Sequence, residues 1–123
     1  MIVFVLFGAG VTKAQDVKNG YGKTTQEDGS VYEGQFKDGL FDGKGTLTYP
    51  DQRQYTGDFK NGKFDGQGIL LYTDGSKYEG QFKEGRLSGQ GGITYADGTQ
   101  YNGRFKDGDI DTTPPDESIE NKM

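Results

Sequence analysis

From Tyr32 the chain reads YEGQFKDGLFDGKGTLTYPDQRQ, from Tyr55 it reads YTGDFKNGKFDGQGILLYTDGSK, and from Tyr78 it reads YEGQFKEGRLSGQGGITYADGTQ. A fourth copy begins at Tyr101 as YNGRFKDGDID and stops there. Tyr32, Tyr55, Tyr78 and Tyr101 are spaced by 23 residues, as are Phe36, Phe59, Phe82 and Phe105. A fixed period in this range marks an array of one supersecondary unit, each copy burying its apolar face against its neighbours. The function of such a chain is to be sought along its surface rather than in a single cleft.

The residues define the unit. Tyr32, Gly34 and Phe36 alternate with Glu33 and Gln35, the period of a strand with one apolar face. Lys37-Asp38-Gly39 is a turn cluster, and Gly43, Gly45, Leu47 and Tyr49 then alternate with Lys44, Thr46 and Thr48 as a second strand. Pro50-Asp51, Thr73-Asp74-Gly75 and Ala96-Asp97-Gly98 end the units. Each repeat is therefore a β-hairpin, and the fold class is all-β: a single-layer, elongated antiparallel meander of roughly eight strands, about 35–40 Å long.

The wording Y-x-G-x-F-x-x-G, followed by G-x-G and a Tyr-x-Asp-Gly turn, resembles the MORN (membrane occupation and recognition nexus) repeat. The resemblance covers residues 32–111, divided into 32–54, 55–77, 78–100 and a partial 101–111. Residues 15–31 form a weaker partial repeat, in which Gly20-Tyr21-Gly22 and Asp28-Gly29 keep the register. Gln52 stands where Gly29, Gly75 and Gly98 stand in the other copies, so its turn is expected to be less tight.

Glycine weakens strands, so its regular placement needs a reason. A register with Phe36 opposite Gly43 also sets Tyr32 opposite Leu47. Pairing Tyr49 with Tyr55 across the next turn sets Phe59 opposite Gly45. Every aromatic then lies flat over a bare glycine of the neighbouring strand, burying about 150–250 Å² per ring.

Outside the array, MIVFVLFGAGV has a different composition. It is too short for a comfortable membrane-spanning helix. It reads as the core of a signal peptide with a cut after Ala14, giving 1–14 as leader and an exported (secreted or periplasmic) product. An uncleaved anchor or a buried strand are the alternatives, since no basic residue precedes the apolar run; the chain is then membrane-associated or cytoplasmic. Residues 112–123 carry Asp116, Glu117 and Glu120 against Lys122 and read as a frayed acidic tail.

The 123 residues hold 22 glycines, are 30% hydrophobic and lack cysteine and histidine. That composition excludes Cys-His and Ser-His-Asp catalysis and the usual zinc sites. Asp42, Asp65 and the other recurrent aspartates are explained by turns, and the G-x-G triplets lack the strand-to-helix setting of dinucleotide loops. Asp107, Asp109 and Asp111 match the start of a calcium loop, but Thr112 and Ser118 break it. The reading is a non-catalytic protein with no cofactor and no metal. Net charge is −5, and the 10 basic against 13 acidic residues of 32–111 leave −3, which disfavours nucleic acid.

Surface remains. One face carries Tyr, Phe, Leu and Gly, and a single-layer sheet is expected to leave part of it open as an aromatic/glycine groove. The resemblance implies the same role, a scaffold presenting a groove to protein partners, with membrane attachment proposed for some family members. The candidate protein-binding residues are Tyr32, Phe36, Tyr55, Phe59, Tyr78, Phe82, Tyr101 and Phe105, with Phe41, Phe64 and Leu87 near hairpin tips as the better contacts. Lys37, Lys60, Lys83 and Lys106 form a ladder, the basis of the alternative reading as a peripheral module on anionic lipid. Self-association through sheet edges is the third reading.

Overall fold

The computed structural model describes residues 18–113. The leader assigned to 1–14 and most of the acidic tail lie outside the described residues. Among the described residues nine strands follow one another in a single antiparallel sheet with no crossover: β1 Gly20–Thr25, β2 Val31–Lys37, β3 Leu40–Thr48, β4 Gln54–Lys60, β5 Lys63–Leu71, β6 Lys77–Lys83, β7 Arg86–Thr94, β8 Gln100–Lys106 and β9 Asp109–Ile110. The hairpin meander read from the repeat is the fold.

Two turn types alternate. Within a repeat, Asp38-Gly39, Asn61-Gly62, Glu84-Gly85 and Asp107-Gly108 all have positive φ at both residues, the primed two-residue turn that suits strand twist. Between repeats, the carboxylates of Asp28, Asp51, Asp74 and Asp97 accept the backbone N–H two residues on, closing a longer turn.

These turns correct the expected register. The two-residue turn pairs Lys37 with Leu40 and so sets Phe36 opposite Phe41, not Gly43. Tyr32 does face Leu47, because the ladder shifts between Gly34 and Phe36 and β3 absorbs the extra residues in a bulge. Across the longer turn, Leu47 rather than Tyr49 faces Tyr55, and Phe59 faces Gly43 rather than Gly45.

The bulge gives each glycine of G-x-G its own task. Gly43 and Gly66 take φ of 97° and 112° in the bulge, where a side chain would be strained. Gly45 and Gly68 leave space for a ring: a Cβ there would sit 2.5 Å from Cε1 of Tyr32 or Tyr55. The Gln35 carbonyl, displaced from the ladder, accepts the Tyr32 hydroxyl at 2.6 Å; Asp58 and Gln81 accept those of Tyr55 and Tyr78 at 2.6 and 2.7 Å.

The expectation of a loose turn at Gln52 is also corrected. Its N–H reaches the Tyr49 carbonyl at 3.0 Å, against 3.1 Å for Gly75 to Tyr72 and 2.8 Å for Gly98 to Tyr95. Gln52 holds this geometry at φ 84°, in the left-handed region, while Arg53 lies 4.4 Å over the Tyr49 ring. A side chain there costs about 1–2 kcal/mol, partly offset by the smaller entropy of the unfolded chain. Gln52→Gly is therefore expected to stabilise the protein by about 0.5–1 kcal/mol in urea titration, and destabilisation would show that this turn relies on the glutamine side chain.

Candidate binding surfaces

The central rings of the aromatic face form a packed layer. Tyr32, Tyr55 and Tyr78 have no exposed surface, and Phe36, Phe59, Phe82 and Phe105 keep only 3–6%. Tyr32 stacks on Phe41 and Tyr55 on Phe64, with centroids 3.8 Å apart and planes 8° from parallel. Each tyrosine also meets a phenylalanine of its own repeat and one of the next edge-on: Tyr55 with Phe59 and Phe82, both at 5.0 Å. Interlocked rings of this kind cover one another without a second layer.

This packing withdraws the first aromatics of each repeat from the expected groove, whereas Phe41, Tyr49, Phe64 and Tyr72 keep part of their surface, and a hollow is lined by Phe41, Leu47 and Tyr49. Phe41 and Phe64 are half-buried and stacked, and Leu87 is buried in the equivalent place, so none of these three stands free of the core. Tyr101 is half-buried, at the end of the layer, where it packs on Phe105 at 5.6 Å. Ile110, the equivalent apolar residue of the last repeat, is exposed.

Burial of the hydroxyls has a pH consequence. It pushes Tyr32 up from 10.0 to about 12, with Asp42 adding to the effect, and raises Tyr55 and Tyr78 for the same first reason. The fold thus favours neutral tyrosine: above the unfolded value the folded chain holds more protons than the unfolded one, so stability falls as pH rises. Stability is expected to be insensitive to these groups below pH 10 and to fall between pH 10 and about 12. Circular dichroism and tyrosinate absorbance should change together in an alkaline titration; ionisation of these tyrosines at their ordinary value in the intact fold would contradict the burial.

The opposite face is polar and open. Gly22, Gly34, Gly45, Gly57, Gly68, Gly80, Gly91 and Gly103 stand in one row across eight strands. Bare backbone in that row floors two shallow troughs of 630 and 600 Å³. One is walled by Gln67, Glu79, Gln90 and Asn102, the other by Glu33, Gln35, Lys44 and Thr56. Lys44 is paired with Asp58 at 2.6 Å, and Lys77 with Glu79 at 4.0 Å, so the walls are nearly neutral and rich in amides and hydroxyls. Sequence reasoning missed this surface; its signal is the alternation of Gln, Thr and Glu with the glycines.

A third surface lies along the hairpin tips. Lys37, Lys60, Lys83 and Lys106 are all exposed at strand ends beside the two-residue turns. Their partners differ: Lys37 faces Leu40, Lys106 faces Asp109, but Lys60 faces Lys63 and Lys83 faces Arg86. Positive charge is thus concentrated on the two central hairpins, and Lys63 and Arg86 were not singled out from sequence. Like charges placed opposite one another destabilise a sheet. Among the described residues none of these four cations has an ion-pair partner within 4.0 Å. Asp65, Glu84 and Asp107 border the hollows between them. Asp65 is engaged in the fold, accepting the Glu84 N–H at 3.1 Å as Asp42 accepts that of Asn61 at 3.2 Å.

The family model described as MORN repeat matches residues 14–31, 32–52, 55–77 and 78–100. No curated protein matches the chain.

Proposed function

Because the chain belongs to the MORN repeat family, we propose that it is a non-catalytic scaffold that takes a protein partner along the polar, glycine-floored face of its sheet. The family commonly serves protein or membrane interaction and is generally non-catalytic. The observation that supports this reading is the glycine row: it leaves open backbone and amide-lined walls on one face, while the central rings of the aromatic face are buried against one another. An extended segment laid across the strands meets hydrogen-bonding groups from successive repeats, and affinity grows with the number of repeats spanned. Export, if residues 1–14 are a leader, places that partner in the envelope or outside the cell.

The test is cross-linked capture with the full chain and with Gln67→Arg/Gln90→Arg, which fills the trough without touching the aromatic layer. A partner retained at high salt by the parent and lost by the double variant supports the scaffold. Equal capture by both overturns it. The four cations at the central tips favour a second reading, an anionic membrane surface. Its signature is sedimentation with phosphatidylserine-containing vesicles that fades with salt and with Lys63→Glu/Arg86→Glu.

A further inference from the structure

The two ends of the described sheet are the two halves of one repeat. Gly22, Lys23, Thr24 and Thr25 stand 23 residues before Gly45, Thr46, Leu47 and Thr48, so β1 has the pattern of a repeat's second strand. It pairs accordingly: Gly22 with Gly34 and Thr24 with Tyr32, as Gly45 pairs with Gly57 and Leu47 with Tyr55. At the other end β8 is a repeat's first strand. In the earlier repeats the outer edge of that strand is filled throughout, as by Tyr32–Leu47, Glu33–Thr46 and Gly34–Gly45. On β8, β9 reaches only Phe105 and Lys106, and the Asp111 N–H reaches the Arg104 carbonyl. Among the described residues no strand lies on the outer side of Gln100–Gly103, opposite β7.

The stretch that follows β9 does not continue the repeat pattern in register. Pro114 and Pro115 stand three periods after Gly45 and Thr46, and proline has no N–H to give to a ladder. Alternation along antiparallel strands turns the backbone of Lys23 and Thr25 away from β2, and that of Gln100 and Asn102 away from β7.

We propose that β1 of a second copy completes the repeat begun by β8, joining copies head to tail in the array's own register. Tyr101 then faces Thr24 of the incoming copy, Gly103 faces Gly22, and Asn102 bonds Lys23 as Glu33 bonds Thr46. The incoming Phe36 comes beside Tyr101 as Phe105 lies beside Tyr78 at 5.0 Å. Incoming Lys18 takes the repeat position of Ile110, so β9, two exposed residues long, is displaced. A head-to-tail contact that does not close on itself builds open chains rather than stopping at a dimer.

Full-length Lys23→Cys/Asn102→Cys tests the register directly, since the chain has no cysteine of its own. The two sites lie on strands seven places apart, roughly 34 Å, so any disulfide between them joins two chains. Oxidation at rising concentration is expected to give a ladder of dimers, trimers and longer species. Lys23→Cys/Gln100→Cys, displaced by two residues, should give about tenfold less. In sedimentation, the parent's average mass should climb with concentration, and Asn102→Pro, which removes an outward N–H, should stay monomeric. Lys23→Pro serves the same purpose if Asn102→Pro fails to fold. A monomeric parent at every concentration, equal yields in both registers, or assembly that halts at a dimer overturns the proposal.

Discussion

Tyr55→Ala is expected to cost about 3–5 kcal/mol, the loss that follows removal of a large ring from a packed core. The ring is fully buried, stacked on Phe64 at 3.8 Å and met edge-on by Phe59 and Phe82 at 5.0 Å, so its removal loosens two repeats at once. It also orphans the Asp58 carbonyl, which the hydroxyl caps at 2.6 Å, a further loss of about 1 kcal/mol. Set against a typical domain stability of roughly 5–15 kcal/mol, this one change removes much of the margin. Tyr55→Phe separates the two contributions, since it keeps the ring and loses only the cap. Tyr21→Ala, at a ring 64% exposed, should stay within about 0.5 kcal/mol of the parent. Urea unfolding of the three variants checks the ordering. A Tyr55→Ala protein as stable as Tyr21→Ala would mean that the ring layer does not hold the sheet together.

Gly68→Ala should approach the same cost with a single methyl group. An added Cβ would stand 2.5 Å from Cε1 and 2.6 Å from Cζ of Tyr55, and the ring cannot retreat because Phe64 lies flat on it. Overpacking of this sort costs about 1–3 kcal/mol, and more where nothing yields. Gly39→Ala is the contrast: the tip offers open space, and the strain comes only from φ of 81°, about 1–2 kcal/mol. A loss at Gly68 no larger than at Gly39 would show that the ring shifts freely. The paired variant Gly68→Ala/Tyr55→Ala should then cost less than the sum of its parts, because the clash disappears with the ring.

Much of this was legible in the sequence because period and alternation are strong signals. The 23-residue spacing fixed the unit, the alternation of Tyr32, Gly34 and Phe36 fixed the strand faces, and the pairing of Tyr32 with Leu47 followed. What escaped was decided by a few turn dihedrals. A register with Phe36 opposite Gly43 leaves residues 37–42 for the turn, whereas positive φ at Asp38 and Gly39 tightens the loop to two residues and creates the bulge. The slip at Tyr49 and Tyr55 arose likewise, from the aspartate-closed turn at Asp51. Phe41 and Phe64 looked like contact residues because they sit near tips; the tight turn folds them back onto Tyr32 and Tyr55. The lysine ladder was visible as a period, but Lys63 and Arg86 join it only through cross-strand pairing. The glycine row had been read only as a bed for rings, so the trough on its other side went unseen.

The clasp between neighbouring tips, Gly62 N–H to the Phe41 carbonyl and Gly85 N–H to that of Phe64, is the same bond at both junctions, 2.8 Å long. Together with the ring contacts, it makes every junction interchangeable with the next. Excising residues 55–77 would bring Tyr32 against Phe82 in place of Phe59 and leave each clasp a partner of the same kind. A deletion whose length is not a multiple of 23 residues would put the following strand out of register. The chain can therefore lengthen or shorten by duplication and loss of whole units, so that its reach can be tuned by unequal recombination without the core being redesigned.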